Sequence, residues 1–287
     1  MKRLASRVIT WYFRQTHLQR GKHTVAHKVV RRWFRDVRCR SRDGLWFAVD
    51  PRDQIQLNIL TTGEWEPSES EVLRSELRAG DVFYDIGANC GYFTLLASQL
   101  VGDAGHVYAF EPNPEVVRKL RQNLELNGVS NVTVFPLALS DSEGTQQLSL
   151  TAGKNSGMSS FRTLDGESTS REVDVVRLDD LIEHEALRLP DFVKMDIEGA
   201  EYLAVRGMPR ALGPDGASKV LIEISDQFLR ELSGDEASLL DALAGHGFDV
   251  RRETSRHKRS NEDGTPFQYT ALLTRSSPPS PRVGVTG

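Results

Sequence analysis

The chain has 287 residues, of which 39% are hydrophobic and 26% charged, and this composition is typical of a globular protein that buries a core. Its two cysteines, Cys39 and Cys90, are too few for a disulfide scaffold and favour a reducing compartment, so we expect a cytoplasmic protein. No run of about 18 apolar residues is present to form a transmembrane helix, and Arg7 and Arg14 interrupt the apolar stretch that a signal peptide needs.

Charge is distributed unevenly along the chain. Residues 1–40 contain 12 Lys and Arg and a single acidic residue, so their formal charge is +11, whereas the remaining residues carry −15. Because phosphate binding requires clustered positive charge, the acidic body argues against nucleic acid as the main partner. The sequence gives no indication of an oligomeric state.

The basic N-terminal arm, residues 1–43, is predicted to be helical. Val29, Trp33 and Val37 recur at the spacing of one helix face, and arginines occupy the opposite face. Such a helix packs its apolar stripe either on its own domain or on an anionic membrane surface, and the second case would make the protein membrane-peripheral. We favour packing on the domain, which is the common arrangement for amphipathic helices of globular proteins.

The segment after the arm is predicted to contain a β-hairpin and a helix. Residues 45–50 and 54–60 alternate between apolar and polar side chains on either side of a turn at residues 51–53. A helix is predicted over residues 68–77, with serines at its start and Gly80 beyond its end.

The next part of the chain alternates between apolar runs and helical patterns. Strands are predicted at residues 82–86, 107–110, 132–137, 192–197 and 220–224. Helices are predicted at residues 92–101, 114–127 and 200–212. Strands that alternate with helices favour an α/β fold with a mostly parallel sheet that is covered on both faces.

The pattern changes towards the C-terminus. A helix is predicted over residues 235–245, followed by two strands at residues 248–252 and 267–274, which should form an antiparallel hairpin at the sheet edge. The tail, residues 275–287, has the composition of a disordered segment.

We therefore divide the chain into three parts. The arm covers residues 1–43, the main domain residues 44–274 and the tail residues 275–287. Within the main domain, residues 44–79 form the hairpin and helix lead-in, and residues 80–274 form the Rossmann-like core.

The clearest cofactor signal is the sequence DIGANCGYFT, residues 85–94, which follows an apolar strand and opens a helix. A glycine-rich turn at this point lets a ligand approach the backbone closely. The G-x-G-x-x-G spacing of a dinucleotide site is absent; instead, Gly87 and Gly91 lie four residues apart, with Asp85 ahead of them. A carboxylate is attracted by the ammonium and sulfonium charges of S-adenosylmethionine (SAM) and gains little from a pyrophosphate, so the loop favours SAM over NAD.

Glu111 ends the next predicted strand, in the sequence FEPNP. It lies at the distance expected for the neighbouring strand of the same βαβ unit, where an acidic residue accepts hydrogen bonds from a ribose diol. Together with the glycine loop it predicts a nucleoside-binding site.

Three further carboxylates follow later strands. Asp196 and Glu198 lie at the end of the strand at residues 192–197, and Glu223 lies near the end of the next strand. Ligands bind at the carboxyl edge of open α/β sheets, so these side chains are candidates for a general base, for positioning a hydroxyl or for binding a divalent metal. Ion pairing with Lys194 or with an arginine is the structural alternative.

Seven sequence segments between residues 62 and 223 resemble the FkbM family of SAM-dependent methyltransferases. They are, in chain order, TGEWEP, DIGANCGYFT, FEPNP, NGVSNVTVFPLALSD, RLDDLI, KMDIEGAEYLAVRGM and VLIE. The resemblance implies a class I methyltransferase fold with a seven-stranded sheet. It also implies O-methylation of a hydroxyl on a sugar, glycolipid or natural product as the activity.

The resemblance and the positions of the motifs also suggest roles for individual residues. Asp85, Gly87, Asn89 and Gly91 would hold the amino-acid part of SAM, Glu111 would hold the ribose, and the backbone near Ala138 and Leu139 would meet the adenine. The expected catalytic residues are Asp196, Glu198 and Glu223, and we do not predict a metal site, although a divalent metal remains an option. Two rival functions stay open, a non-catalytic SAM-binding subunit and, with less support, an NAD-dependent enzyme.

Overall fold

The computed structural model describes residues 36–151, 159–161, 168–250, 259–260 and 266–275. The predicted arm helix before residue 36 and the predicted disordered tail after residue 275 lie outside these residues. Within the described part, no helix has the length and apolar character needed to cross a membrane.

Strands and helices alternate through most of the described chain. The strands are β1 (Val37–Arg40), β2 (Trp46–Val49), β3 (Val82–Ile86), β4 (His106–Phe110), β5 (Val132–Phe135), β6 (Ala138–Leu139), β7 (Gly144–Thr151), β8 (Ser159–Ser160), β9 (Ser168–Val176), β10 (Phe192–Met195), β11 (Lys219–Ile224), β12 (Phe248–Asp249), β13 (Arg259–Ser260) and β14 (Pro266–Arg275). The helices are α1 (Gln54–Thr62), α2 (Pro67–Glu76), α3 (Tyr92–Val101), α4 (Pro114–Asn127), α5 (Leu178–His184), α6 (Glu201–Arg206), α7 (Asp226–Leu232) and α8 (Glu236–Gly245).

The central sheet has the strand order β12-β14-β11-β10-β3-β4-β5, with β13 also paired to β14. The five strands from β11 to β5 are parallel, whereas β14 runs antiparallel to both β11 and β12. This arrangement confirms the predicted α/β fold with a mostly parallel seven-stranded sheet and a C-terminal antiparallel pair. The parallel strands place their carboxyl ends, and the loops that follow them, along one edge.

Two apolar layers cover the sheet because successive strand residues point to opposite faces. Phe83 faces one layer, where its ring lies 5.6 Å from that of Phe192, together with residues of α3 and α4. Tyr84 faces the other layer, where its ring lies 5.2 Å from that of Tyr108. Burial of each such aromatic side chain contributes about 1.5–3 kcal/mol, so both layers fix the strand ends that carry the site.

The predicted strand at residues 54–60 is wrong, because these residues form helix α1. Asp53 caps the helix by accepting a hydrogen bond from the Gln56 backbone at 2.9 Å, and Gly63 ends it with a left-handed φ of 80°. The alternating apolar residues also fit helical spacing, since Ile55 and Ile59 lie four residues apart.

The lead-in hairpin consequently pairs different strands from those predicted. β1 pairs antiparallel with β2, with Val37 opposite Val49, so the pairing crosses the predicted boundary at residues 43 and 44. Val37 thus lies in a strand and not on the helix face assigned to it. Asn123 and Asn127 of α4 accept hydrogen bonds from the β2 backbone, both at 2.8 Å, and attach the hairpin to the core.

A second sheet, with the order β6-β9-β7-β8, was not predicted. β7 and β9 pair antiparallel over eight positions, from Gly144 opposite Val175 to Thr151 opposite Ser168. Most side chains of β7 are exposed or half-buried, so the segment lacks the apolar alternation from which strands are predicted. The strand predicted at residues 132–137 ends at Phe135, before Pro136, and the short strand β6 at Ala138–Leu139 belongs to the second sheet.

Candidate active site

The loop after β3 lies against the end of β10. The backbone N–H groups of Gly87 and Ala88 both donate to the Phe110 carbonyl oxygen at 3.0 Å. Gly87 has a φ of 85°, and a Cβ atom at this position would collide with the backbone carbonyl oxygen of Asp196. Glycine is therefore required both by conformation and by space, and it brings the predicted cofactor loop into contact with a predicted catalytic residue.

The same loop turns into α3 through Asn89 and Gly91. Asn89 has a φ of 51°, and its side-chain oxygen accepts a hydrogen bond from the Cys90 backbone at 2.6 Å. Gly91 has a φ of 86°, and a Cβ atom there would collide with Leu120. Cys90 itself is buried, and burial raises the pKa of its thiol, so it acts as a small packing residue.

Glu111 follows β4 and lies opposite this loop. One carboxylate oxygen accepts a hydrogen bond from the Asn89 backbone at 3.0 Å, and the other accepts one from the Asn113 backbone at 2.9 Å. Burial raises the pKa of Glu111 to about 7, although the two backbone hydrogen bonds oppose this shift. Each carboxylate oxygen keeps a second lone pair, so Glu111 can also accept from a diol.

Asp85 is fully buried at the end of β3. Its Oδ2 accepts a hydrogen bond from the Thr94 hydroxyl at 2.5 Å, and its Oδ1 has no hydrogen-bond partner among the described residues. Burial raises the pKa of Asp85, and the charge of Lys194 and the bond from Thr94 oppose the rise. A buried carboxylate oxygen with spare accepting capacity fits a cationic or hydrogen-bond-donating ligand group.

A small cavity opens at the carboxyl ends of β10 and β11. Its wall is formed by Glu66, Glu69, Lys194, Met195, Asp196, Leu221, Glu223 and Thr270. Asp196 is 27% exposed, and its Oδ2 lies 3.4 Å from Lys194 Nζ. Glu223 is hydrogen-bonded to Asp196; burial and the Asp196 charge together raise the pKa of Glu223 well above its ordinary value.

The remaining predicted site residues have different positions. Glu198 lies in the loop after β10 with a φ of 55°, close enough for its charge to act on Glu223, but it does not line the cavity. Ala138 and Leu139 form β6 and are buried, and β6 pairs with β9 in the second sheet. The structure thus brings Asp196 and Glu223 together and places Glu198 beside them.

Comparison with known proteins decides the family. The profile of the methyltransferase FkbM domain matches residues 85–250, which is more than half of the chain. The chain belongs to the FkbM methyltransferase family. The class I methyltransferase fold predicted for it agrees with the strand order of its central sheet.

Two FkbM-like relatives extend the comparison. The 31-O-demethyl-FK506 methyltransferase FkbM of Streptomyces tacrolimicus is 30% identical over 62% of this chain and 76% of its own. The hexuronic acid methyltransferase AglP of Haloferax volcanii is 30% identical over 54% of this chain, and the match spans just under two thirds of AglP, 62%. A solved SAM-dependent O-methyltransferase from Thermotoga maritima, 15% identical, aligns over 85% of this chain and 79% of its own with a TM-score of 0.47.

The residues present fit the cofactor that this family of SAM-dependent methyltransferases requires. The glycine loop, the spare acceptor oxygen of Asp85 and the carboxylate of Glu111 lie at adjacent strand ends. Their oxygens match the ammonium and hydroxyl donors of SAM. Among the described residues, no three His, Cys, Asp or Glu side chains are arranged to hold a metal ion.

Sequence reasoning did not select three of the residues that line the cavity. Glu66, Glu69 and Thr270 line the cavity, although all three lie outside the matched residues 85–250. Glu66 has a φ of 41°, a conformation that non-glycine residues rarely adopt and that concentrates at functional sites. Glu201 stabilises the turn after β10, because its Oε1 accepts hydrogen bonds from the Ile197 and Gly199 backbones at 3.0 and 3.2 Å, while its buried Oε2 has no hydrogen-bond partner among the described residues.

Cofactor affinity should depend on pH through Glu111. A carboxylate accepts two hydroxyl hydrogen bonds, whereas a carboxylic acid must use one oxygen as a donor. Because the pKa of Glu111 is raised to about 7, we expect S-adenosylhomocysteine to bind about tenfold more tightly at about pH 8 than at about pH 6. Titration calorimetry would measure this change.

A second buried acid requires a control in this experiment. Burial also raises the pKa of Glu201 to about 7, so Glu201 titrates in the same range. Glu111→Gln should remove the pH dependence and Glu201→Gln should keep it; the reverse pattern would contradict the assignment to Glu111.

Proposed function

We propose that this FkbM-family protein transfers the methyl group of SAM to a hydroxyl of a sugar, glycolipid or natural product. The observation that carries the proposal is the hydrogen-bonded pair of Asp196 and Glu223, which lines a cavity directly beside the cofactor loop at Gly87. A carboxylate in this position suits an acceptor whose proton must be removed. The printed names of the relatives support it, since one acts on 31-O-demethyl-FK506 and the other on hexuronic acid.

The cofactor contacts follow from the strand ends. Asp85, Gly87, Asn89 and Gly91 would hold the amino-acid part of SAM, and Glu111 would accept from its ribose hydroxyls. The backbone of β6, at Ala138 and Leu139, would border the adenine. When bound, SAM supplies an electrophilic methyl group on a positively charged sulfur.

Asp196 would then act on the acceptor. Asp196 would accept the proton of the acceptor hydroxyl, and the oxygen of that hydroxyl would take the methyl group that SAM supplies. Most of the acceleration would come from alignment of the reacting atoms by the walls of the cavity. Glu223 would support Asp196 through their shared hydrogen bond, and Glu198 would act on Glu223 through its charge.

Asp196→Asn should lower turnover at least about a hundredfold while changing cofactor affinity less than about threefold, in line with the usual contribution of a general base. The amide has nearly the same shape, so the fold should persist while the base is lost. The measurement combines calorimetry with S-adenosylhomocysteine and transfer of a ¹³C-methyl group from SAM to mixed sugar, glycolipid and polyketide acceptors. Glu231→Gln, on the exposed face of α7, is the matched control.

The outcomes separate the possible functions. Carbon NMR of the product distinguishes an O-methyl from an N-methyl group, and an N-methyl product would refute the proposed hydroxyl acceptor. Normal turnover in Asp196→Asn would refute its role as base. Loss of wild-type activity on addition of a chelator would assign the carboxylates to a metal, and binding of NAD in place of S-adenosylhomocysteine would refute the cofactor.

A further inference from the structure

Lys194 is a buried lysine at the centre of the carboxylate cluster. It lies on β10 with 4% of its surface exposed, and its Nζ is 3.4 Å from Asp196 Oδ2. The same Nζ lies 4.7 Å from the centre of the Phe93 ring of α3. A buried ammonium group costs several kcal/mol of desolvation, so its retention in a strand requires compensating charges.

Four carboxylates around Lys194 compensate its charge. Asp85 approaches from β3, Asp196 from the end of β10 and Glu223 from β11, and Glu66 acts from the start of α2. Burial lowers the pKa of Lys194, but the four carboxylates together, with Asp196 and Asp85 contributing most, outweigh this effect and raise it. The surrounding carboxylates therefore favour the charged form of Lys194.

The negative charges exceed this single positive charge. Glu69 lines the same cavity, and Glu198 acts on Glu223 from the following loop. Burial and the charge of Asp196 raise the pKa of Glu223, so this excess favours the protonated form of Glu223. A protonated Glu223 donates its hydrogen bond to Asp196, so Asp196 receives an ammonium charge from one side and a hydroxyl donor from the other.

We propose that Lys194 is a positioning residue that holds Asp196 as the charged member of the cluster, ready to accept the proton of the methyl acceptor. This inference rests on the proposed function of Asp196. Lys194 also lies opposite Asp85 in the pairing of β10 with β3, and its Nζ is 3.4 Å from Asp196, so one charge acts on both halves of the site. Without Lys194, Asp196 and Glu223 would share a proton over a higher pH range.

The first test compares the two carboxyl groups in the wild-type protein. Carbon NMR of ¹³C-labelled Asp and Glu side chains, followed over pH, reports which carboxyl takes up a proton, with Asp196→Asn and Glu223→Gln used to assign the signals. As the pH is lowered, we expect Glu223 to take up the first proton, at a pH well above the ordinary range of a glutamate. Proton uptake by Asp196 in place of Glu223 would overturn the proposal.

The second test removes the lysine. In Lys194→Met, the midpoint for deprotonation of the Asp196–Glu223 pair should rise by about one pH unit or more, because its nearest cation is gone. Lys219→Met is the matched control, since Lys219 is also a strand lysine but pairs with Glu76 at 2.9 Å at the opposite end of β11. It should leave the midpoint unchanged.

Ligand affinities provide a further measurement on the same variants. Sinefungin carries an amine where SAM carries its methyl-bearing sulfonium, so its affinity relative to S-adenosylhomocysteine reports the charge beside the transferred group. We expect the pH at which this affinity ratio changes to be higher in Lys194→Met than in the wild-type protein. In Lys219→Met this pH should be unchanged. An unchanged pH dependence in a folded Lys194 variant would refute the proposal.

The results distinguish this inference from the proposed function. If Lys194→Met does not fold, Lys194→Gln replaces it, and the wild-type carboxyl titration decides without any variant of Lys194. Wild-type protein that binds neither S-adenosylhomocysteine nor sinefungin would refute the proposed function, whereas an unchanged midpoint with intact binding would refute only the role of Lys194.

Discussion

Replacing Glu111 with alanine should weaken the binding of SAM about tenfold or more. The change removes a carboxylate that accepts two backbone hydrogen bonds and, in the proposed complex, the ribose hydroxyls. Loss of a charged acceptor in a buried site costs about 1.5–3 kcal/mol, which corresponds to roughly a tenfold to hundredfold loss of affinity. Titration calorimetry with SAM and S-adenosylhomocysteine at about pH 8 would measure it.

The matched control for Glu111 is Glu115→Ala. Glu115 lies in the first turn of α4, close in sequence, but its side chain is exposed. The control removes the same charge near the same helix end and should leave affinity within about twofold, since exposed charges contribute little. Equal losses in the two variants would show that general electrostatics, and not ribose recognition, accounts for the effect.

Gly87→Ala should be the most damaging single-methyl change in the site. The added Cβ would collide with the Asp196 carbonyl oxygen, and this atom belongs to the backbone, so it cannot rotate away. Opening this contact would separate the ends of β3 and β10, which carry the proposed cofactor and base residues. We expect loss of cofactor binding together with a clearly lower melting temperature.

Gly80→Ala isolates the collision from the backbone strain. Gly80 has a φ of 93°, close to the 85° of Gly87, but no atom lies within 4 Å of its Cβ position. In both variants the left-handed conformation of the new alanine lowers the free energy of unfolding by about 1–2 kcal/mol. Only Gly87→Ala also introduces the collision. Similar melting temperatures and unchanged binding in both variants would contradict the close packing of the cofactor loop.

The core elements were predictable because several local signals agree. The predicted bounds of α3 and α4 match the structure, since Asn113 and Pro114 start α4 and Gly128 ends it. The buried parallel strands appear in the sequence as continuous apolar runs, and β3 was predicted with its observed bounds.

Prediction failed where one pattern fits two structures or where a strand is polar. The residues of α1 satisfy both a strand and a helix pattern, and the decisive signals were the caps at Asp53 and Gly63. β7 and β9 stabilise each other mainly by backbone pairing between exposed segments. Such pairing depends on distant partners and leaves little trace in either sequence.

The candidate site was predictable residue by residue but not as a cluster. Strand ends identified Glu111 and Asp196, because parallel strands align their carboxyl edges. The convergence of α2, β10, β11 and β14 on one cavity is a property of the folded chain. Lys194 was recognised only as a possible ion-pair partner, since its burial between Asp85 and Asp196 depends on the order of β3 and β10 in the sheet.

The interior position of β14 affects how the chain folds during translation. β14 pairs with β11 from Lys219 opposite Thr274 to Ile224 opposite Tyr269, and it also pairs with β12. A nascent chain on the ribosome therefore exposes one edge of β11 until β14 has emerged. Exposed strand edges recruit other strands, so ribosome-bound or prematurely terminated chains should depend on chaperones far more than the finished protein.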